Sequence, residues 1–332
     1  MGSNDLLTRL LRDVSRSFYL TLRVLPPAIR PQVGLAYLLA RATDTIADTA
    51  LVPLNDRLET LERLRDRVLG QSAAAPDFSR FAAGSGAEQR LLARVGEAAA
   101  LLDQLAEDDR ELVRTVLATI TSGQVLDLRR FAGAGPGPVA ALQTDAELED
   151  YAYRVAGCVG EFWTRICQRR LFPHAAVDEP QLLHWGRRFG IGLQLVNILR
   201  DLPRDLRLGR CYLPGPALAA AGLEPASLLD PAVQPRFRPV HDRYRAWAAA
   251  CLDAGWAYTN ALPRNQARVR LACVWPLLIG AKTLERLGRE ELLDPAHRVK
   301  VSRPEVWRIV VVSVAAHPWP RAWSRLWRRG AA

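Results

Sequence analysis

Two acidic residues one helical turn apart, Asp44 and Asp48, are the first feature of this sequence with the means to do chemistry. They lie in the segment AYLLARATDTIADT, which also carries Tyr37 and Arg41. At 3.6 residues per turn, the four side chains fall within roughly 60° of one another on one helix face. An isolated acidic pair is usually a solvated helix face. The apolar flanks here argue against that, and two carboxylates buried together repel each other without a counter-ion. Oxygen ligands without His or Cys favour Mg²⁺.

A second acidic face occurs in the segment LQLVNILRDLPRDLR. Gln194, Asn197, Asp201 and Asp205 fall within roughly 80° of one another on a helix. Pro203 lies between the two aspartates, and it should kink the helix or mark its last turn, because proline lacks a backbone N–H. Two such faces in one chain are much more specific than one. If their helices face each other across a cavity, four carboxylates could hold a Mg²⁺ cluster that binds a diphosphate and improves it as a leaving group.

The helices that must position these residues dominate the chain. Ala, Leu, Arg and Glu are abundant and β-branched alternation is nearly absent, which predicts an all-α protein. We find no linker within the 332 residues, so we expect a single domain over 1–332, a helical bundle around a central cavity. Helices are expected at the ranges 4–13, 31–50, 55–69, 88–105, 109–131, 148–169, 181–205, 240–262, 267–287 and 303–329.

Two glycines interrupt the expected helix over 148–169, which contains YAYRVAGCVGEFW. Each glycine costs about 1 kcal/mol relative to alanine, so Gly157 and Gly160 indicate that something packs against the backbone. A tight helix crossing and a groove for a long apolar ligand explain them equally well. Tyr151, Val155 and Val159 align on one face of the same helix.

The net charge of +10 favours anionic partners, either diphosphates or an anionic membrane surface. Its arginines are spread along the chain without a helix-turn-helix or zinc motif, so we expect no nucleic-acid partner. Five cysteines without a CxxC pair, and no signal peptide or membrane-spanning run, predict a cytoplasmic protein.

The Trp- and Arg-rich end of the chain, 303–332, has two interpretations. It is either an ordinary last helix with a basic tail or a segment that contacts the inner face of the membrane peripherally. The oligomeric state is open, and a monomer is favoured.

Four segments together resemble the squalene/phytoene synthase family: SRSFYLTLRVLP, AYLLARATDTIADT, YAYRVAGCVGE and LQLVNILRDLPRDLRLGRCYLP. The resemblance covers about 15–214 and continues more weakly to about 287. It implies the isoprenoid synthase fold and the head-to-head condensation of two farnesyl diphosphates. The departures are Ala47 in the first acidic motif, and Pro203 with Arg204 in the second.

The resemblance also implies roles for individual residues. It assigns Mg²⁺ to Asp44, Asp48, Asn197, Asp201 and Asp205. It assigns catalysis to these four aspartates and to Tyr151. It assigns substrate contacts to Arg16, Ser17, Phe18, Tyr37, Arg41, Asp127, Val155, Gly157, Val159, Gln194, Asn197, Arg200 and Arg210.

The product that the resemblance favours is squalene, formed through presqualene diphosphate with hydride from NADPH. Phytoene, dehydrosqualene or presqualene diphosphate itself are the alternatives without a reductive step. A non-enzymatic, membrane-associated scaffold of the same fold is a remote alternative, because all four metal-binding aspartates are present.

Overall fold

A computed structural model of the protein describes residues 6–15, 19–49, 52–74, 76–81, 86–133 and 138–330. Helices account for 76% of the structure, and this confirms the all-α prediction. The described residues contain one small sheet, in which two short strands pair in parallel: β1 (Ala140–Leu142) and β2 (Arg210–Pro214). None of the described helices has the length and hydropathy needed to cross a bilayer.

The described residues form fifteen α-helices, numbered here in chain order. The first seven are α1 (Leu11–Ser15), α2 (Tyr19–Val24), α3 (Arg30–Asp48), α4 (Leu54–Leu69), α5 (Gly86–Ala93), α6 (Val95–Asp103) and α7 (Glu107–Arg130). The others are α8 (Asp145–Ala152), α9 (Cys158–Leu171), α10 (Glu179–Arg207), α11 (Gly215–Ala219), α12 (Gln234–Ala261), α13 (Ala267–Leu287), α14 (Arg303–Ala316) and α15 (Pro320–Gly330). Short π-helices cover Leu6–Leu10 and Tyr153–Gly157, and 3₁₀ turns cover Ser79–Phe81, Pro225–Leu229 and Pro231–Val233.

The chain divides into two compact units. The first contains Met1–Ala132 and Glu161–Ala176, and the second contains Gly133–Gly160 and Val177–Ala332. The single domain expected from the sequence remains a prediction.

In the first unit, α3 packs against α4, α6 and α7. A proline in the first turn of α3 suits its start, where the backbone N–H would have no partner. A buried polar network ties three helices of this unit together. Asp109 on α7 accepts from Gln32 Nε2 at 2.8 Å and from Arg170 Nε and Nη2 at 3.0 and 2.7 Å. The Asp109 side chain is only 1% exposed, and these hydrogen bonds offset the cost of burying it.

In the second unit, α10 is the central helix and packs most extensively on α12. The Asp178 side chain caps its N-terminus by accepting from the Gln181 N–H at 3.0 Å. Its C-terminus is followed by Gly209, whose φ of 76° is a conformation that favours glycine. The helix continues for one turn beyond Pro203.

A close helix crossing explains the glycines between α8 and α10. A Cβ on Gly160 would lie 1.9 Å from the Gly186 carbonyl oxygen, and one on Gly157 would lie 3.0 Å from Ile191 Cγ1. On α10, a Cβ at Gly190 would lie 2.2 Å from the Ala156 carbonyl oxygen. Of the two explanations for these glycines, the structure therefore supports the tight crossing.

Three helices that the sequence predicted as continuous are interrupted in the structure. The helix expected over 88–105 is two helices, α5 and α6, which separate at Arg94. The helix expected over 148–169 contains the π-helical turn Tyr153–Gly157. The last expected helix, over 303–329, breaks between Ala316 and Pro320 because Pro318 cannot continue it.

Candidate active site

The first acidic pair lies at the end of α3, the last residue of which is Asp48. The Asp44 side chain is 43% exposed and Asp48 is exposed. Carboxylates at a helix C-terminus oppose the helix dipole, which typically costs 0.3–1 kcal/mol at the surface. Helix stability therefore does not explain why two acids occur at this position. A positively charged ligand would explain them.

Arg41 connects Asp44 with a third acid. Its Nη1 donates to Asp44 Oδ2 and its Nη2 donates to Glu88 Oε1, both at 2.5 Å. Burial lowers the pKa of the Arg41 guanidinium, but the charges of Asp44 and Glu88 outweigh it, so that the pKa is raised overall. Arg41 therefore stays charged, and its two acidic partners hold the guanidinium in place.

The carboxyl of Asp44 is in an environment that disfavours its charge. Burial first, and then the charge of Asp48, raise its pKa from the ordinary 3.8 to about 6, although Arg41 acts in the opposite direction. Water around the 43% exposed side chain screens part of this effect. A bound divalent cation would relieve the repulsion between the two carboxylates, so the residues present fit a Mg²⁺ ion.

Two further candidates of the first unit lie on α3 and α7. The Tyr37 hydroxyl lies 3.5 Å from the Val14 carbonyl oxygen, at the end of α1. Asp127 is buried on α7, with 8% of its surface exposed. The predicted substrate residues Arg16, Ser17 and Phe18 lie outside the described residues.

The second acidic pair lies on the last two turns of α10. Arg200 Nε and Nη2 donate to the two carboxylate oxygens of Asp201 at 2.9 and 2.5 Å. Arg298 adds a longer contact of 3.5 Å to Asp201 Oδ1. One turn earlier, Asn197 Nδ2 donates to Gln194 Oε1 at 3.5 Å. Asp205 is partly exposed one turn after Asp201, so the predicted face is present on one helix.

The predicted catalytic Tyr151 packs against an aromatic partner. Its ring stacks on Tyr212 of β2, with 4.8 Å between the centroids and 18° between the planes. Arg210 lies on the same strand, two residues before Tyr212. The pairing of β1 with β2 therefore positions the Tyr212 ring beside Tyr151 and places the guanidinium of Arg210 two residues away on the same strand.

The three small residues predicted to line the prenyl site follow Tyr151 along the chain. Val155 and Gly157 belong to the π-helical turn, and Val159 is 37% exposed at the start of α9. Single π-helical turns within α-helices are frequent at functional sites. Gly157 is buried against α10, so the structure gives it a packing role, and its contact with substrate stays a prediction.

Three residues that sequence reasoning did not select contact these candidates: Glu88, Arg298 and Tyr212. Glu88 is far in the chain from its partner Arg41, and Arg298 is far from its partner Asp201, so no local pattern marks them. Tyr212 carried a weak signal, because it lies in the LRLGRCYLP segment that follows the second acidic motif.

The metal donors come in pairs rather than in a larger cluster. Within the described ranges, no group of three or more His, Cys, Asp or Glu side chains has an arrangement that could hold a metal ion. Each unit supplies two aspartates one turn apart, and the second unit adds the amide oxygen of Asn197. All of these donors are oxygens, which Mg²⁺ prefers.

The comparison with known sequences identifies relatives of this chain. A model of the family described as squalene/phytoene synthase matches residues 11–305. A presqualene diphosphate synthase of Zymomonas mobilis is 31% identical over 306 residues, which are 91% of this chain and 90% of that protein. A bifunctional lycopene cyclase/phytoene synthase of Phaeosphaeria nodorum is 28% identical over 321 residues. The chain covers 50% of that bifunctional protein.

Solved structures share the fold. A complex of TcSQS with a ligand has a TM-score of 0.80 at 20% identity, and the match covers 99% of this chain and 92% of that one. The squalene synthase HpnC of Alicyclobacillus acidocaldarius has a TM-score of 0.60 at 19% identity, over 86% and 93% of the two chains. The family match and the two acidic faces lead to one conclusion: this chain belongs to the squalene/phytoene synthase family of isoprenyl transferases.

Proposed function

We propose that the protein condenses two molecules of farnesyl diphosphate head to head and reduces the product to squalene. The observation that carries this proposal is the acidic pair at the end of α3, where burial and Asp48 raise the pKa of Asp44 to about 6. The charges of this carboxylate pair destabilise the folded chain. Such a pair is suited to bind a metal ion that carries a diphosphate. The family itself supports an isoprenyl diphosphate as the substrate class.

In this proposal Mg²⁺ is held by Asp44 and Asp48 in the first unit and by Asp201, Asp205 and Asn197 in the second. When bound, Mg²⁺ neutralises the diphosphate and makes it a better leaving group. The chain's own task is to orient these oxygens. Arg200 contributes to this by engaging both oxygens of Asp201.

Guanidinium groups recognise diphosphate oxygens well, because two N–H groups can donate in parallel. Arg41, Arg200 and Arg210 are the described candidates for this contact, and Arg16 and Ser17 are predicted to join them. Arg41 and Arg200 are each already oriented by a carboxylate. Binding of substrate would therefore use side chains that lose little further conformational freedom.

Tyr151 is proposed to assist ionisation and to handle the proton that is lost when the first carbon–carbon bonds form. Its stack on Tyr212 restricts the ring orientation. Aromatic faces also attract a carbocation through their quadrupole. Val155 and Val159 are proposed to provide apolar surface for the isoprenyl chain, from which water is excluded.

The proposed reaction has two stages. Ionisation of one farnesyl diphosphate releases diphosphate, and C1 is attacked by the C2=C3 double bond of the second molecule. Loss of a proton then gives the cyclopropane of presqualene diphosphate. A second loss of diphosphate opens the ring, and NADPH would supply the hydride that completes squalene.

Presqualene diphosphate as the final product is the second candidate. The relative from Zymomonas mobilis, which matches 91% of this chain, is a presqualene diphosphate synthase. Phytoene or dehydrosqualene would instead require proton loss after the second ionisation.

Product analysis tests the proposal. The protein is incubated with farnesyl or geranylgeranyl diphosphate and Mg²⁺, with and without NADPH, and products are identified by mass spectrometry. We expect squalene from farnesyl diphosphate only when NADPH is present. Presqualene diphosphate that accumulates despite NADPH would establish the second candidate. A conjugated triene formed regardless of NADPH would establish a phytoene- or dehydrosqualene-type enzyme, and no diphosphate release would refute the proposed activity.

A further inference from the structure

An apolar stripe on α14 faces solvent. Trp307, Val311 and Val314 are 58%, 62% and 48% exposed. Their spacing of four and three residues places them on one side of the helix. Trp319, in the turn after α14, is 68% exposed. We call these four residues the α14 face. The three residues on α14 share one side of the helix, and large apolar side chains grouped in this way mark an interaction site, whereas scattered ones do not.

The opposite side of α14 is already packed, so its orientation is fixed. Ser313 is buried there and accepts from Trp275 Nε1 of α13 at 2.9 Å. Helices α13 and α15 both contact α14. The exposed stripe is therefore the side of α14 that remains after its internal contacts are made.

The tryptophans of α15 point into the fold rather than to solvent. Trp323 and Trp327 both stack on Trp256 of α12, with 5.8 Å between ring centroids in each pair. Their indole N–H groups donate to Asn260 and Asp253, each at 2.9 Å. Of the tail tryptophans that suggested membrane contact, these two therefore have internal partners. The available ones are Trp307 and Trp319.

Arginines without acidic partners occur on α14 and on the following helix, α15. The segment 303–332 has six arginines and one glutamate. That glutamate, Glu305, is engaged by Arg286 at 2.9 Å and by Lys282 at 3.6 Å. Among the described residues, no carboxylate pairs with four arginines of α14 and α15: Arg303, Arg308, Arg321 and Arg325. On α14, Arg303 and Arg308 lie on the two sides of the apolar stripe.

A groove lies on the side of α14 away from the α14 face. It has a volume of about 510 Å³ and lies between α13, α14 and α15. Ile309, Val312 and Leu326 line it together with Arg308 and Arg325. Lys282, Glu285 and Glu305 also line the groove, so it carries both signs of charge and is distinct from the α14 face.

We propose that the α14 face docks on the surface of an anionic lipid bilayer. Trp307, Val311, Val314 and Trp319 enter the boundary between headgroups and acyl chains, and Arg303 and Arg308 beside the stripe bind lipid phosphates. Arginine stems can lie along the apolar layer while their charged ends reach the headgroups. A second copy of the chain fits this surface less well, because a symmetric contact would bring unpaired arginines together with no acid between them.

Vesicle binding by the full-length protein tests the proposal. Sedimentation with vesicles of phosphatidylglycerol and phosphatidylcholine is compared with vesicles of phosphatidylcholine alone, across a range of salt concentrations. We expect binding to the anionic vesicles that weakens as salt increases. The double variant Val311→Asp/Val314→Asp should bind at least about tenfold more weakly, since it places charge in the apolar stripe.

A second double variant, Arg303→Glu/Arg308→Glu, isolates the charge contribution of the two arginines that border the stripe. It should lose the preference for anionic vesicles, since each basic residue near such a surface contributes roughly a fivefold change in binding. Matched controls are Leu229→Asp, at a 37% exposed apolar position, and Arg63→Glu/Arg129→Glu, at positions 64% and 62% exposed. The controls should bind as the unmodified protein does, and thermal unfolding should show that all variants are folded.

Three outcomes would overturn the proposal. The first is no binding to anionic vesicles, and the second is unchanged binding by Val311→Asp/Val314→Asp. The third is a dimer in sedimentation velocity that this variant dissociates, without vesicle binding, which would make the face an interface between copies. The assay contains no isoprenyl diphosphate, so its result is independent of the proposed function.

Discussion

Asp44 and Asp48, the first pair of proposed metal ligands, lie where their charges destabilise the fold. Both lie in the last turns of α3, where the helix dipole disfavours a carboxylate. The folded state raises the pKa of Asp44 to about 6 through burial and the neighbouring Asp48. A shift in this direction means that the ionised carboxylate destabilises the folded chain. The destabilisation is absent below the ordinary pKa of 3.8 and complete above about pH 6.

The pH dependence of Mg²⁺ binding tests this assignment. Because a proton and Mg²⁺ compete for Asp44, the Mg²⁺ concentration needed for half-maximal diphosphate release should rise as pH falls below about 6.

The variant Asp48→Asn tests the electrostatic coupling between the two carboxylates. It removes the charge of Asp48, which is the second cause of the raised Asp44 pKa. Carbon-detected NMR titration should then show a lower pKa for Asp44 that is still above the ordinary value, since burial remains. An unchanged Asp44 pKa in this variant would contradict the coupling, and Asp108→Asn, at a 72% exposed position, is the control.

At the scale of elements, the crossing of α10 with the start of α9 supports the helix that carries the second proposed metal-binding pair. The carbonyl of Gly186 occupies the space where a side chain at Gly160 would stand. Helix α10 carries the second acidic pair about four turns further along. Any shift of α10 at this crossing would therefore also move Asp201 and Asp205.

The variant Gly160→Ala tests the crossing. Its Cβ would lie 1.9 Å from a backbone oxygen, so α10 must move, and overpacking of this kind typically costs 1–3 kcal/mol. We expect the free energy of unfolding, measured in denaturant, to fall by about this amount. Gly133→Ala is the matched control, because no atom lies within 4 Å of the added Cβ. Equal stability of the two variants would show that the crossing tolerates a side chain.

On the scale of the whole molecule, each compact unit contributes one acidic pair. Asp44 and Asp48 belong to the first unit, and Asp201 and Asp205 belong to the second. The proposed activity uses both pairs, so neither unit should suffice without the acids of the other.

Single substitutions in the two units test this requirement. Asp48→Asn and Asp201→Asn should each lower Mg²⁺-dependent diphosphate release from farnesyl diphosphate by at least about a hundredfold, because a metal ligand is lost in either case. The exposed Asp108→Asn should keep the activity of the unmodified protein. Near-normal release by either test variant would exclude its aspartate from the metal site.

The sequence by itself determined the features that depend on local spacing. The helical class, the two acidic faces and most helix positions follow from a period of 3.6 residues, which the chain obeys whatever its distant contacts are. The boundaries Ala267–Leu287 were predicted as observed for this reason. The family resemblance, which rests on four local motifs, was confirmed by the match over residues 11–305.

Only the tertiary structure decided which residues from distant parts of the chain meet. Three contacts depend on how separate elements pack, and no local pattern encodes them. They join Glu88 to Arg41, Arg298 to Asp201, and Tyr212 to Tyr151. The same holds for the tail, where packing on α12 removes Trp323 from solvent and leaves Trp307 exposed. Helical periodicity specifies a face of each helix, but the free energy of burying that face against its neighbours decides which side becomes surface.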